Sequence, residues 1–156
     1  MKALVVYDSV FGNTEKIARA MGGALGAEIV KVDSVSPNAL AGVTHLLVGS
    51  PTRGFRPTPA TNQWTKGLSK GSLDGVTVGA FDTRVDVGVV KSGFLTFMVK
   101  LFGYAADPIA RRLVKKGGNL VKPPEGFIVL DREGPLKDGE LERAIQWAKE
   151  IAGLTA

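Results

Sequence analysis

Apolar residues follow two rhythms along this chain. Short unbroken runs rich in Val, Leu and Ile occupy 2–7, 44–49, 76–81 and 126–130. These read as strands buried on both faces. Between them, inward-facing positions return every three or four residues, as in Thr14, Ile17, Ala18, Met21 and Leu25. That is the spacing of one face of a helix. The stretch Glu28-Ile29-Val30-Lys31-Val32 alternates instead, and predicts a second strand nearer the sheet edge.

Punctuation residues set the expected boundaries. The first helix starts after Asn13 and is expected to stop near Gly22-Gly23, with Gly26 as a further breaker. Ser36-Pro37 predicts a very short helix through Leu40. Thr58 is the expected N-cap of another helix, with Pro59 in its first turn and Ala60, Trp64 and Leu68 on one face. Residues 92–102 are helical in composition but apolar nearly all round, so such a helix is buried on several sides or covers something. Asp107-Pro108 opens a helix through Lys116, with Ile109, Leu113 and Val114 inward, ended by Gly117-Gly118. Asp138 is the expected cap of the last helix, with Leu141, Ala144, Ile145, Ala148 and Ile151 as its inner face.

Five strands alternating with helices predict one domain over 1–156, with a parallel sheet covered by helices on both faces. If the strand order is 2-1-3-4-5, the switch point lies between strands one and three, where ligands bind at the carboxyl ends. The loops at that place are residues 9–14 and 50–57.

Composition narrows the chemistry. The absence of cysteine excludes disulfides, thiolate catalysis and Cys-ligated metal. The single histidine, His45, opens the run Leu46-Leu47-Val48 and reads as a strand-start residue, so neither a His-built metal site nor a triad is expected. No apolar run is long enough to span a bilayer and no signal-peptide pattern opens the chain, so a cytoplasmic protein is expected. The net charge of +5 favours acidic partners through long-range attraction. A nucleic-acid partner is not expected. The densest basic cluster, Arg111-Arg112 with Lys115-Lys116, has the spacing of a solvated helix face, and no aromatic residues interleave with basic ones.

The turn after the first strand carries the candidate chemistry. A helix N-terminus offers N–H groups without internal partners, and its macrodipole adds partial positive charge. Ser9, Thr14 and Asn13 add hydroxyls and an amide, and the turn itself has no Lys or Arg. A phosphate held there is held by dipoles and hydrogen bonds. Gly-Lys-Ser/Thr occurs nowhere, which removes a P-loop, and only Gly12 of a G-x-G-x-x-G fingerprint is present.

The order aromatic, any residue, Ser, two residues, Gly, Asn, Thr over Tyr7-Asp8-Ser9-Val10-Phe11-Gly12-Asn13-Thr14 resembles the phosphate loop of the flavodoxin family. Phe81-Asp82-Thr83-Arg84, Glu133-Gly134-Pro135-Leu136 and the following Gly139-Glu140-Leu141 are similar to a flavodoxin-domain branch as well. The resemblance implies an α/β flavodoxin-like three-layer sandwich, a five-stranded parallel sheet in the order 2-1-3-4-5, and FMN as cofactor. It implies that Ser9, Val10, Phe11, Gly12, Asn13 and Thr14 wrap the phosphate. Pro51, Thr52, Arg53, Gly54 and Phe55 are then expected along one edge of the isoalloxazine, and Asp82, Thr83 and Arg84 on its other side.

Departures from that family's pattern are visible. Phe11 stands where many flavodoxins carry a second Thr. The usual Trp of the second loop and Tyr of the third are missing, with Phe55 as the candidate stacking ring. Phe94, Phe97 and Tyr104 are further candidates, the alternative for Phe94 and Phe97 being core or an oligomer contact. Gly54 permits a peptide to reorient beside the ring. Arg53 and Arg56 are expected to raise the flavin potential by stabilising a reduced, anionic ring, unless they point to solvent or grip an acidic partner.

These features predict an FMN-binding electron-transfer protein serving redox partner proteins with acidic surfaces, without catalytic side chains or a metal. One alternative is a small FMN-dependent NAD(P)H:quinone-type reductase. Another is a flavin-free interaction domain on the same fold. A phosphoacceptor receiver is excluded at its usual place: Asp8 is present, but strand three ends in Gly49-Ser50-Pro51 and strand five in Leu130-Asp131.

Overall fold

The computed structural model describes residues 1–85, 93–94, 97 and 103–154. In chain order the elements are β1 (Ala3–Tyr7), α1 (Asn13–Leu25), β2 (Glu28–Lys31), a 3-10 turn (Val32–Ser34), β3 (His45–Pro51), α2 (Pro59–Gly67), β4 (Thr77–Val85), α3 (Ala106–Lys115), β5 (Asn119–Leu120), β6 (Glu125–Val129) and α4 (Glu140–Ala152). The sheet is parallel, in the order β2-β1-β3-β4, and both β5 and β6 lie along the far edge of β4. β5 pairs with Thr77 and Val78, and β6 with Phe81 through Val85. Two pieces therefore fill the place of the single fifth strand. Pro123 and Pro124 lie between them and cannot donate to a ladder.

Alternation on β1 divides its side chains between two cores. Val5 and Tyr7 join Ile17, Met21, Phe81, Phe127 and Trp147 beneath α1 and α4. Leu4 and Val6 join Leu46, Val48, Val78, Ile109 and Leu113 on the opposite face. Phe81, Phe127 and Trp147 meet edge to face, with centroids 6.1 to 6.3 Å apart. The five inward positions expected on α1 are all buried.

Several expectations need correction. α1 runs through Gly22-Gly23 and stops at Gly26, whose backbone is left-handed. Gly22 serves packing instead: a Cβ there would strike the Ile29 side chain of β2. Residues 37–40 form turns, with the helical turn earlier, at Val32–Ser34. Asp138 does not cap α4; Gly139 precedes it with φ 88° and no side-chain cap. Leu141 is exposed and Trp147 occupies the core in its stead. Val114 is likewise exposed. Asp82, Thr83 and Arg84 belong to β4, not to a loop leaving it. The expected helix at 92–102 lies largely outside the described residues, but Phe94 and Phe97 are described and exposed, so neither joins the core of this chain.

Candidate functional site

The carboxyl ends of β1, β3 and β4 bring three segments together. In the first, the Asp8 N–H donates to the Gly49 carbonyl at 3.0 Å, continuing the β1–β3 pairing one residue further. The Asp8 carboxylate accepts the Ser9 N–H at 2.9 Å and the Thr58 hydroxyl at 2.5 Å. Thr58 is the N-cap of α2, so Asp8 braces one loop against the next and takes no part in lining the site. Ser9 Oγ accepts the Gly12 N–H at 3.0 Å and, less closely, the Glu15 N–H at 3.4 Å.

Gly12 then enters α1 with φ 90° and offers no side chain as a cap. The N–H groups of Asn13 and Thr14 consequently have no acceptor among the described residues. Both residues are buried at the head of a 13-residue helix. An anion is the partner such groups lack.

Two tertiary bonds fix this turn in place. Thr14 Oγ1 shares a buried hydrogen bond of 2.8 Å with Thr83 Oγ1 on β4. Asn13 Nδ2 donates to the Glu133 carbonyl at 3.1 Å.

The second segment is a hairpin tip. Arg53 and Arg56 exchange backbone hydrogen bonds of 2.8 and 3.1 Å across Gly54 and Phe55. Those two have φ 56° and 68°, the hands of a type I′ turn. Phe55 is the one non-glycine residue with positive φ among the described residues, a conformation that costs energy for a bulky side chain. The Thr52 N–H donates to the Thr83 carbonyl at 3.0 Å, and Thr52 Oγ1 accepts the Ala105 N–H at 3.1 Å. Arg53 lies over the Phe11 ring, 5.5 Å from its centroid.

In the third segment, Asp82 is fully buried and held by both arms of Arg84, at 2.7 and 2.8 Å. It also accepts the Ala106 N–H at 2.9 Å, joining β4 to the start of α3. Burial pushes the Asp82 carboxyl above its ordinary value, with Arg84 and the Ala106 N–H pulling the other way. The Arg84 guanidinium stacks 3.5 Å from the centroid of Tyr104.

A cavity of about 320 Å³ opens between these segments. Ser9, Val10, Phe11, Asn13 and Thr14 line it from the first, Pro51, Thr52, Arg53 and Gly54 from the second, and Thr83 and Arg84 from the third. Three expected residues do not: Gly12 shapes the turn, Asp82 lies beneath as the partner of Arg84, and Phe55 lines a neighbouring cleft. Phe11, on the rim, is the aromatic residue of the cavity wall.

Val85, Val129 and Arg132 also line the cavity, and sequence reasoning missed them. Arg132 comes from the loop after β6, to which Asn13 is bonded. The usable signal was position alone, since the carboxyl ends of parallel strands gather at one edge. Arg132 adds a third cation to the two arginines expected in the walls. The turn has no cation, but Arg53, Arg84 and Arg132 line the cavity and no carboxylate does. Arg84 is matched by Asp82; Arg53 and Arg132 form no ion pair among the described residues.

Among the described residues, no group of acidic or imidazole side chains gathers as metal ligands, and no helix is long and apolar enough to cross a membrane. No family model and no curated protein matches the sequence. Solved structures do match along the whole chain. Oxidised flavodoxin 1 from Bacillus cereus is 18% identical, with a TM-score of 0.77 and 100% of both chains covered. An archaeal flavodoxin is 21% identical, with a TM-score of 0.72 over 98% of this chain and 97% of that one. Rubredoxin oxygen:oxidoreductase from Desulfovibrio gigas matches 97% of this chain with 35% of its own, at 20% identity and a TM-score of 0.71. With the β2-β1-β3-β4 order and its carboxyl-edge cavity, these likenesses establish that the chain has the flavodoxin fold.

Proposed function

We propose that the cavity binds FMN and that the chain carries electrons between partner proteins in the cytoplasm. The observation that supports this reading best is the pair of N–H groups of two buried residues, Asn13 and Thr14, without acceptors among the described residues, at the head of α1. They and the Ser9 hydroxyl suit a phosphate, and the hydroxyl still has a proton to donate. Thr52, Arg53 and Gly54 on one side, and Thr83, Arg84 and Val85 on the other, are the walls available to an isoalloxazine. Bound FMN would supply reversible acceptance of electrons. The protein's part is to hold it, orient it and set its charge surroundings.

Arg53 and Arg132 favour negative charge near the cavity, so they would raise the flavin potential and suit a partner with an acidic face. The test is titration of apo-protein with FMN, followed by quenching of flavin fluorescence and by thermal unfolding. At about a hundredfold excess over the dissociation constant, FMN should stabilise the fold by about 2.7 kcal/mol. An unmoved melting temperature at saturating FMN, with no quenching, would remove the reading. NADPH oxidation by a quinone with no added reductase would replace the carrier by an enzyme.

A further inference from the structure

A second cleft, of about 480 Å³, lies between α2, α3 and the far side of the hairpin tip. Its volume is within the usual range for small-molecule sites, about 300–1,000 Å³. Arg56, Lys66, Arg111 and Arg112 line it, and no carboxylate does. None of the four forms an ion pair among the described residues. Four cations gathered in one concavity repel each other, and an anion relieves that repulsion.

The cleft is also built, not merely charged. Arg112 Nη1 donates to Asn62 Oδ1, and Asn62 Nδ2 donates to the Pro57 carbonyl at 3.3 Å. That relay ties α3 to α2 and to the foot of the hairpin. Arg112 Nη1 also reaches Thr65 Oγ1 at 3.5 Å. Its Nε and Nη2 donors have no acceptor among the described residues. Burial, and then the neighbouring Arg111, hold the Arg112 guanidinium below its ordinary pKa, as crowded cations do. Phe55 forms part of the wall and adds an aromatic surface.

We propose that this cleft is a binding site for a phosphomonoester carried on a nucleotide-sized molecule. The Arg56, Arg111 and Arg112 guanidiniums take the phosphate and Phe55 offers a surface to the base. Guanidinium forks match phosphate oxygens in pairs, which is why arginine outnumbers lysine at such sites. The proposal stands independently of FMN in the first cavity, although Gly54 belongs to both walls.

The test uses the full chain, calorimetry, and two phosphate probes, 2′,5′-ADP and inorganic phosphate, with FMN present at saturation and absent and with poly-glutamate as the acidic-protein control. Both probes should bind, 2′,5′-ADP more tightly. Lys66 and Arg111 are exposed, so the double variant Lys66→Gln/Arg111→Gln should fold normally, which its melting temperature checks. It should bind 2′,5′-ADP about tenfold or more weakly and FMN unchanged. Arg132→Gln, in the other cavity, should leave 2′,5′-ADP binding as it was. Absence of binding by both probes overturns the proposal. So does loss of binding in Arg132→Gln with none in the double variant, and so does capture of poly-glutamate alone, which would assign the cleft to an acidic protein. A chain that ignores FMN but binds 2′,5′-ADP through Lys66 and Arg111 keeps this proposal and loses the flavin reading.

Discussion

The two concavities share a wall at Gly54 and present hydrogen-bond donors of different kinds. In the first, backbone N–H groups at the head of α1, aimed by the helix itself, stand beside Arg53 and Arg132 in the wall. In the second, the donors are side chains gathered from the hairpin, α2 and α3. Backbone dipoles act at short range and stay where the fold puts them, whereas side-chain charge acts further out and is open to screening by salt. The arginines repeat the contrast. Arg84 is bound on both arms to a buried carboxylate, while Arg111 is exposed and forms no ion pair among the described residues. A cation that completes the interior and a cation without an ion pair at a cleft look identical in a composition count.

The largest expected effect separates those two arginine roles. Asp82→Ala leaves Arg84 without its buried partner and frees the Ala106 N–H, and should cost about 3–5 kcal/mol in urea unfolding. Lys66→Gln/Arg111→Gln should leave stability within about 0.5 kcal/mol. Comparable losses in the two variants would erase the distinction.

Next in size is the first cavity's own donor set. Ser9→Ala removes the acceptor of the Gly12 N–H and the free hydroxyl proton together. FMN binding should weaken by about tenfold, read by fluorescence titration. Salt sharpens the contrast further. Raising ionic strength from about 0.01 M to about 1 M shortens the Debye length from about 30 Å to about 3 Å. The 2′,5′-ADP affinity should fall much more than the FMN affinity across that range.

The smallest effect concerns the ion pair behind the Arg132 loop. Glu140 is buried, accepts the Ile128 N–H at 2.6 Å, and meets Arg143 at 2.7 Å. Burial pushes the Glu140 carboxyl upward, but Arg143 and the Ile128 N–H outweigh it and hold the group below its ordinary value. A carboxyl depressed in the folded state contributes stability above its unfolded pKa, about 4.3, and loses it as pH falls through the folded value. Glu140→Gln should therefore flatten the loss of stability below about pH 4.3 in acid titrations followed by circular dichroism. An unchanged acid slope would mean that Glu140 contributes no pH-dependent stability.

Much of the first cavity was legible because its construction is local. The inner face of α1 follows helical spacing, and the bond from Gly12 to Ser9 Oγ spans three residues. The Thr58 cap was equally readable, since Thr58-Pro59 act on their own neighbours. Phe55 lines a cavity that was not legible, for the opposite reason. Its left-handed backbone directs it to the second cleft, and nothing local in a Gly-Phe pair announces that.

By itself the sequence determined the alternation of strands and helices, the unfilled amides at the head of α1, and the lack of any cation within that turn. Those follow from hydrophobic period and from bonds made within a few residues. Only the tertiary structure decided that Thr14 meets Thr83, that Asn13 reaches Glu133, and that Arg132 shares a cavity with Arg53. It also decided that Arg111 and Arg112 join Arg56 and Lys66 around a cleft, where spacing alone gave a solvated helix face. The first two of those contacts span 69 and 120 residues. Local propensity has no reach over such separations, and the parallel crossovers that close them are set by how both faces of the sheet are buried.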